Sequence, residues 1–539
     1  MISEAYSDIK SIYEDLLSRD IDQQFFETWS QVKREVNDRT FINWIKLQQD
    51  STDEKARSLF DDLSKILMPE AQKLDAKLEE KVLADSSTHK QFSPYVNKIK
   101  EIHDKGADAN AELHAQVRTL TSKFEKLLSQ AMVDLNKSMT IKQALVTMRN
   151  HPQQTERERI WRKIQEAKER IYKEGSRIFL EILPLRRQIA NNSGLDTYTE
   201  YIYSQNKYYT AENAMSWLNK IDAAFAEPLE YYKEASKIRL EIETLHPWDV
   251  SAGFNVNARQ FTQKDYIDTA KLAFGAVHEN FRKIIEDIES KGNIDLFSRP
   301  NKSSGNFQAS LLSWGEFFVF CNLSGHINDF YSLFHELGHA LHYSVMSPGK
   351  LSWETSLGRY LPETLALILQ TLAADKLGEL DLITEEELMD YRMYSADATL
   401  AFLEEIAYKE RFQQAVYASN ISNVEEVEAL FSQCLGPSIA DWSHLEDNRN
   451  RLWLDRHVLS YPFYNLEYII AEVATLVFVD RFRRNEEEST EKLIEVMRHD
   501  SRNPFPESLQ MLDVHFPFED KDFSKASSVL LENLKSSSL

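Results

Sequence analysis

The stretch that decides the fold is His335-Glu336-Leu337-Gly338-His339, which lies within residues 329–343. Apolar residues recur through this run at helical spacing, so it predicts an amphipathic helix that Asn328 or Asp329 caps and residues 347–349 end. Residues i and i+4 share one face of a helix, so the two imidazoles point the same way. They can share one Zn²⁺, and Glu336 beside them can take a proton from water.

A tetrahedral catalytic zinc site needs a third protein ligand. His342 lies two helical turns from His335, roughly 10 Å along the axis, and one straight helix cannot wrap three ligands around one ion. Two downstream carboxylates remain, Glu354 in a predicted loop and Glu363 in the first turn of a helix predicted to start at Pro362. We favour Glu363 because a rigid helix holds a ligand better than a loop does.

The composition limits the class of protein. The net charge of −23 argues against nucleic acid as a partner, because binding phosphate needs a basic surface. Two cysteines in 539 residues make no disulfide framework and predict a reducing compartment, the cytoplasm. The N-terminal residues show neither the basic nor the apolar region of a signal peptide, and no apolar run is long enough to predict a membrane span.

Low glycine and proline contents, 14 of each, favour long helices over many turns. One segment differs, because residues 307–314 and 316–320 are typical of strands on either side of Gly315. The sequence therefore predicts a small sheet next to the HExxH helix. An edge strand there, near Ser313 to Phe320, could hold an extended peptide by backbone hydrogen bonds.

A further cluster lies near the C-terminal end of the sequence. His457, Tyr461, Tyr464 and Tyr468 follow each other at helix-like intervals, which predicts one His and three phenols on a common helical stripe. Taken alone, this pattern favours a tyrosine-rich packing face whose hydroxyls reach the backbone.

The HExxH stretch, with Glu363 twenty-four residues after His339, resembles the gluzincin oligopeptidases, the family of thimet oligopeptidase and, more closely, oligoendopeptidase F. The likeness extends to residues 183–198, 245–249 and 294–305. The resemblance implies Zn²⁺ bound by His335, His339 and Glu363, with Glu336 as the general base.

The resemblance also implies a mostly α-helical, two-lobed metallopeptidase with a small β-sheet beside the zinc helix and a deep substrate channel. Residues 1–145 would form an N-terminal helical region and residues 146–539 the catalytic region. In the family, a His and a Tyr donate hydrogen bonds to the tetrahedral intermediate. By position this role falls on His457 and Tyr468, with Tyr464 close by.

The sequence thus predicts a zinc-dependent endopeptidase that hydrolyses internal bonds of short oligopeptides. Two alternatives stay open: an exopeptidase like the dipeptidyl carboxypeptidases, and a zinc-binding helical protein with little turnover.

The sequence departs from the family pattern at two positions that affect the expected catalytic rate. Gln370 stands where the family often carries a carboxylate, and Asn465 stands where it tends to carry a tyrosine.

Overall fold

The structure is a computed structural model that describes residues 2–85, 90, 92–93, 95–97, 99–100, 110–254, 259–346, 351–352, 354–355, 360–499 and 503–536. The chain divides into two compact units. The first unit combines Met1–Asp108, Gln260–Leu382 and Asn485–Leu512, and the second combines Ala109–Arg259, Ile383–Arg484 and Asp513–Leu539. This division of the chain differs from the predicted regions 1–145 and 146–539. Those regions rest on sequence likeness and stay a prediction.

The first unit is built mainly from helices. We call Asp329–Met346 the motif helix and Tyr360–Glu379 the partner helix. The other described α-helices are Ile2–Ser18, Gln23–Gln49, Glu54–Asp62, Met68–Ala84, Gln263–Val277, Glu279–Ser290, Glu486–Met497 and Phe505–Met511, with a π-helical turn at Leu63–Leu67.

The predicted HExxH helix is confirmed, and its apolar stripe is buried from Phe330 to Leu341. Of the two residues predicted to cap this helix, Asn328 stands immediately before its first residue, whereas Asp329 lies within it. Asp329 is the first helical residue, and its carboxylate accepts hydrogen bonds from the amides of the preceding turn, at 2.7 Å for Ser324. Asp329 therefore holds the loop that leads into the helix. Residues 347–349, predicted to end it, lie outside the described residues.

The described strands are β1 (Met132–Asp134), β2 (Ser138–Thr140), β3 (Ile294–Phe297), β4 (Phe307–Leu311) and β5 (Glu316–Leu323). β1 and β2 form a hairpin in the second unit, whereas β3 to β5 form a sheet in the first unit. In that sheet β5 lies in the centre, parallel to β3 and antiparallel to β4.

This strand order corrects the predicted edge. Most of the segment from Ser313 to Phe320 lies in the turn and in the central strand β5. The two outer strands of this sheet are β3 and β4, so the edge that lies next to this segment belongs to β4. Ala309 and Leu311 on β4 pack with Ile45 of helix Gln23–Gln49 in one buried cluster. Alternate residues of a strand face opposite sides, so Gln308 and Ser310 point to the other face.

The second unit is also mainly helical. Its described helices are Ala111–Gln130, Ile141–Arg149, Gln154–Asn192, Tyr198–Ser204, Ala211–Ala224, Ala226–Leu240, Glu385–Ala418, Val424–Cys434, Glu446–Asn450, Arg456–Leu459, Leu466–Arg484 and Asp520–Lys535. The predicted mostly α-helical fold with a small sheet is therefore confirmed. None of the described helices is long and apolar enough to cross a membrane.

Candidate metal centre and active site

Three predicted ligands come together in the first unit. His335 and His339 lie one turn apart on the motif helix, with ring centroids 4.7 Å apart. Glu363 on the partner helix reaches both, with one carboxylate oxygen 3.6 Å from His335 Nε2 and the other 3.8 Å from His339 Nε2. The three ligand atoms lie within 4.8 Å of one another. Ligands about 2.1 Å from a tetrahedral Zn²⁺ are themselves about 3.4 Å apart, so the donor set fits one such ion.

Gly338 explains why the partner helix can approach so closely. A Cβ atom at Gly338 would lie 2.9 Å from the carbonyl oxygen and 3.0 Å from the Cα of Ala366. These are backbone atoms of the partner helix, and a side chain cannot displace them without moving the helix. Glycine is therefore required between the two histidines for Glu363 to reach them.

Gln370 orients one of the two imidazoles. Its buried side-chain oxygen lies 3.1 Å from Nδ1 of His335. A hydrogen bond from Nδ1–H to this oxygen leaves the lone pair on Nε2, the atom that faces Glu363. Gln370 therefore faces His335 with a neutral hydrogen-bond acceptor, at the position where the family often carries a carboxylate.

The pKa values of the ionisable side chains in this cluster follow from their burial and from the charges of their neighbours. Burial and the charge of His335 lower the pKa of His339 to about 4, which keeps the ring neutral as a metal ligand must be. Burial raises the pKa of Glu336 to about 7, and the nearby Glu363 adds to the rise. Burial would raise the pKa of Glu363 as well, but the two histidines outweigh it and lower that pKa. The two carboxyl groups are thereby separated in acidity, with Glu336 the better proton acceptor.

Glu336 lies beside the outer edge of β4, where its carboxylate accepts a hydrogen bond from the Gln308 amide. Val319, the cross-strand partner of Gln308, donates its amide to Asn293 instead. The Gln308–Val319 pair is therefore not hydrogen-bonded, and by alternation neither is the pair at Ser310. The backbone groups of Gln308 and Ser310 point away from β5, towards the side of Glu336, where an extended peptide could pair.

Two other candidates do not join the three ligands. His342 is fully buried, and its ring nitrogens have no hydrogen-bond partner among the described residues. Burial lowers the pKa of His342 to about 3, and the charge of His339 contributes to this decrease. Glu354 is also buried, and its carboxylate accepts a hydrogen bond of 2.6 Å from the Leu351 amide. The loop carboxylate is thus engaged with its own loop.

The predicted stripe from His457 to Tyr468 is not one helix. A short helix, Arg456–Leu459, is followed by a break before helix Leu466–Arg484, and Phe463 in the break has a left-handed φ of 63°. Pro462 accounts for the break, since proline lacks an amide hydrogen and clashes with the preceding helical turn. Tyr461 consequently leaves the cluster and is 52% exposed.

Three members of the predicted stripe nevertheless meet in the second unit. The rings of His457 and Tyr464 are almost parallel, with centroids 6.1 Å apart, and Tyr464 contacts Tyr468 with their hydroxyls 3.5 Å apart. The sequence reasoning missed a fourth residue, Asp455, whose carboxylate oxygen lies 3.2 Å from Nδ1 of His457. Its only signal in the sequence is its position two residues before His457.

Comparisons with known proteins agree with the geometry. Residues 147–496 match the family model for peptidase family M3. No curated protein matches the sequence of this chain. Among solved structures, PZ peptidase A with an inhibitor is similar with a TM-score of 0.80 at 17% identity, covering 99% of this chain and 97% of the other. Oligoendopeptidase-F from Enterococcus faecium is similar with a TM-score of 0.63 at 15% identity, covering 99% and 98%. At these identities the structural likeness shows a shared fold alone.

Proposed function

On the premise that this chain belongs to peptidase family M3, and is therefore a metallopeptidase, we propose that it is a zinc-dependent endopeptidase acting on short oligopeptides. One observation carries this proposal. Two histidines and a glutamate from two helices bring their ligand atoms within 4.8 Å of one another, with Glu336 alongside. This is the donor set of a catalytic zinc site, in which three protein ligands leave one position open.

The residues have distinct roles in the proposed hydrolysis. Zn²⁺ bound by His335, His339 and Glu363 would supply Lewis-acid chemistry, which polarises the scissile carbonyl and acidifies water. Glu336 takes a proton from the attacking water and passes it to the leaving amine. Its raised pKa, about 7, suits a group that both accepts and releases a proton near neutral pH.

The peptide and the tetrahedral intermediate need their own partners. In the proposal, the outward backbone groups at Ser310 on β4 pair with an extended substrate regardless of its sequence. His457 and Tyr468 donate hydrogen bonds to the intermediate, with Tyr464 beside them, as the family resemblance implies. Losing one such donor typically costs about 3 kcal/mol of transition-state stabilisation.

The cellular setting is part of the same proposal. Cys321 and Cys434, the two cysteines of the chain, are free thiols, and both are buried. Free thiols are typical of a reducing compartment. We therefore assign the enzyme to the cytoplasm, with oligopeptides as its substrates.

The experiment is to incubate the purified protein with a mixed peptide library and to identify the fragments by mass spectrometry. We expect internal cuts that a chelator abolishes and added zinc restores. Trimming of dipeptides from the C-terminus would favour the exopeptidase alternative, and intact peptides would favour the protein with little turnover.

A matched pair of variants assigns the base. Glu336→Gln keeps the shape of the side chain but cannot accept the proton, so bound zinc should stay stoichiometric while kcat falls by about 100-fold or more. Glu212→Gln makes the same substitution at an exposed position of the second unit and should leave both quantities unchanged. Turnover within about tenfold of the wild type in Glu336→Gln would reject Glu336 as the base.

A further inference from the structure

The surroundings of His457 contain a carboxylate that the proposed mechanism does not use. We infer that Asp455 is a positioning residue that accepts a hydrogen bond from Nδ1–H of His457, so that the ring is held in one orientation with Nε2 as its free nitrogen. This inference rests on the proposed role of His457. It adds a residue that neither the zinc motif nor the resemblance to the family assigns.

The geometry around Asp455 is specific. Its Oδ1 accepts a hydrogen bond of 2.7 Å from the backbone amide of His457 and lies 3.2 Å from Nδ1 of the same residue. One oxygen therefore holds both the backbone and the ring of His457. The other oxygen, Oδ2, lies 3.4 Å from Nζ of Lys409, whose side chain is 3% exposed.

The turn that carries His457 is held on other sides as well. Glu125 pairs with Arg456 at 2.5 Å and accepts a hydrogen bond of 2.8 Å from Ser460. The buried Arg186 donates to the carbonyl oxygen of Leu459 at 2.6 Å. Because these contacts fix the backbone on both sides of His457, the bond to Asp455 selects one ring orientation rather than following a mobile loop.

Asp455 belongs to a cluster of partly buried charges next to the ring of His457. Lys409 pairs with both Asp455 and Glu405, and Lys168 is close to the same three side chains. Burial would raise the pKa of Asp455, but Lys409 and His457 outweigh it and hold that pKa well below its usual range. Lys409 and Lys168 thus lie close to the carboxylates of Asp455 and Glu405, and the His457 ring lies beside Asp455.

The ring of Tyr464 lies beside that of His457 and contacts Tyr468 in turn, while the neighbouring Arg456 pairs with Glu125. In a variant without the Asp455 charge, the side chain that faces Nδ1 could no longer stabilise a cationic imidazole in the transition state. A neutral ring that keeps its proton on Nδ1 has no hydrogen to donate from Nε2. An aspartate behind a catalytic histidine has this double function, because it sets the orientation of the ring and stabilises its cationic form.

The competing explanation is that Asp455 only caps the short helix Arg456–Leu459. Asn is as good a helix cap as Asp, so Asp455→Asn keeps the cap and removes the charge. A matched control is Asp441→Asn, since Asp441 accepts hydrogen bonds from the amide and hydroxyl of Ser443 in another turn of this unit. A residue that only caps would behave alike in the two variants.

Steady-state kinetics on an internally cleaved peptide tests the inference in the zinc-loaded enzyme. In Asp455→Asn we expect kcat to fall by about 10- to 100-fold with KM changed less than about threefold, since the lost donor acts in the transition state. In Asp441→Asn both kcat and KM should match the wild type. An unchanged kcat in a folded Asp455→Asn variant would overturn the inference.

A spectroscopic measurement separates this inference from the proposed function. In protein labelled with ¹⁵N-histidine, the signals of His457 are assigned by their loss in His457→Gln. We expect Nδ1 of His457 to carry a proton in the wild type at every pH at which the protein is folded, and to lose this preference in Asp455→Asn. A wild-type ring protonated at Nε2 alone would overturn the inference even if the enzyme cleaves peptides. A ring held at Nδ1 in a protein that cleaves nothing would instead contradict the proposed function.

Discussion

At the scale of single residues, the proposed metal centre combines two histidines with a carboxylate from a different helix. The two histidines share the motif helix, but Glu363 comes from the partner helix and places one oxygen near each imidazole. Glu354, the other candidate from the sequence, is engaged with the Leu351 amide. The two glutamates therefore differ in what their carboxylates contact, which makes them a matched pair for an experiment.

We predict that Glu363→Ala loses most of its bound zinc and that Glu354→Ala keeps it. Removing one of three protein ligands leaves two imidazoles, which bind Zn²⁺ too weakly to survive purification. The measurement is the metal content of each purified variant by elemental analysis, with circular dichroism to verify folding. Full occupancy in Glu363→Ala would reject it as a ligand.

At the scale of elements, the two site helices are held at a distance set by one glycine. Gly338 faces the Ala366 backbone, where a Cβ atom would approach a carbonyl oxygen to 2.9 Å. Gly275, in helix Gln263–Val277, offers a contrast, because its Cβ atom would lie 3.1 Å from the Cβ of Arg282 on helix Glu279–Ser290, which is neither of the two site helices. The same substitution should therefore have different consequences at the two positions.

We predict that Gly338→Ala weakens zinc binding by tenfold or more and lowers stability by about 1–3 kcal/mol, because the added methyl group pushes the partner helix and Glu363 away. Gly275→Ala should bind zinc as the wild type does, since the nearest contacts of the added methyl group are with Arg282 on helix Glu279–Ser290, in neither the motif helix nor the partner helix. Competition with a chromophoric chelator gives the zinc affinity, and urea unfolding gives the stability. Equal zinc affinity in the two variants would contradict the role of the close helix approach.

The sheet beside the motif helix contains a buried ion pair. Lys302 Nζ donates to Asp295 at 2.7 Å and also to the carbonyl oxygens of Phe297 and Cys321, where the pairing of β3 with β5 is irregular. Burial would raise the pKa of Asp295, but hydrogen bonds from Arg299, Lys302 and Gln49 outweigh it and lower the pKa to about 2. Because this pKa lies below that of an unfolded aspartate, about 3.9, the ionised carboxylate stabilises the folded state above pH 4.

We predict that Asp295→Asn lowers the free energy of unfolding by about 2 kcal/mol or more at pH 7 and by clearly less at pH 3. The difference shrinks because the wild type loses this stabilisation as the pH falls from about 4 towards 2. Asp287→Asn is the control, since it removes an exposed carboxylate that pairs with Lys291 and should cost little at either pH. Urea unfolding at both pH values is the measurement, and an equal loss in Asp295→Asn at both would contradict the assigned pKa.

At the scale of the whole molecule, each compact unit draws on segments that are far apart in the sequence. The first unit takes its N-terminal helices from Met1–Asp108 and the three proposed metal ligands from Gln260–Leu382. Helix Gln23–Gln49 contributes Ile45 to the buried cluster under β4, so the N-terminal segment supports the sheet beside Glu336. The two-lobed arrangement and the deep channel that the family resemblance implies stay proposals.

We predict that the enzyme cleaves short unstructured peptides and unfolded proteins but leaves folded proteins intact. The proposed channel would admit an extended chain that can pair with β4 but would exclude a folded domain. The measurement offers a short peptide, a denatured protein and the same protein in its folded state to the zinc-loaded enzyme. Efficient digestion of the folded protein would contradict the channel while leaving the zinc ligands unaffected.

The sequence by itself determined the local features of this protein. Helical periodicity and the HExxH spacing predicted the motif helix, because contacts between i and i+4 depend only on neighbours along the chain. The position of Glu363 after Pro362 predicted a ligand in the first turn of a second helix, and that helix is present. The strand-like segments 307–314 and 316–320 on either side of Gly315 predicted the two paired strands, and both are present, although β4 ends at Leu311.

Only the tertiary structure decided the contacts between distant segments. β5 lies in the centre of its sheet because Ile294–Phe297 pairs with it, and a hairpin sequence cannot show that third strand. The stripe from His457 to Tyr468 breaks at Pro462, yet His457 and Tyr464 still meet across the turn. The bond from Gln370 to His335, the approach of Ala366 to Gly338 and the pairing of Lys409 with Asp455 likewise join separate helices or turns. Distances of this kind depend on how whole elements pack, whereas the periodicity of a sequence reports only which face of each element is buried.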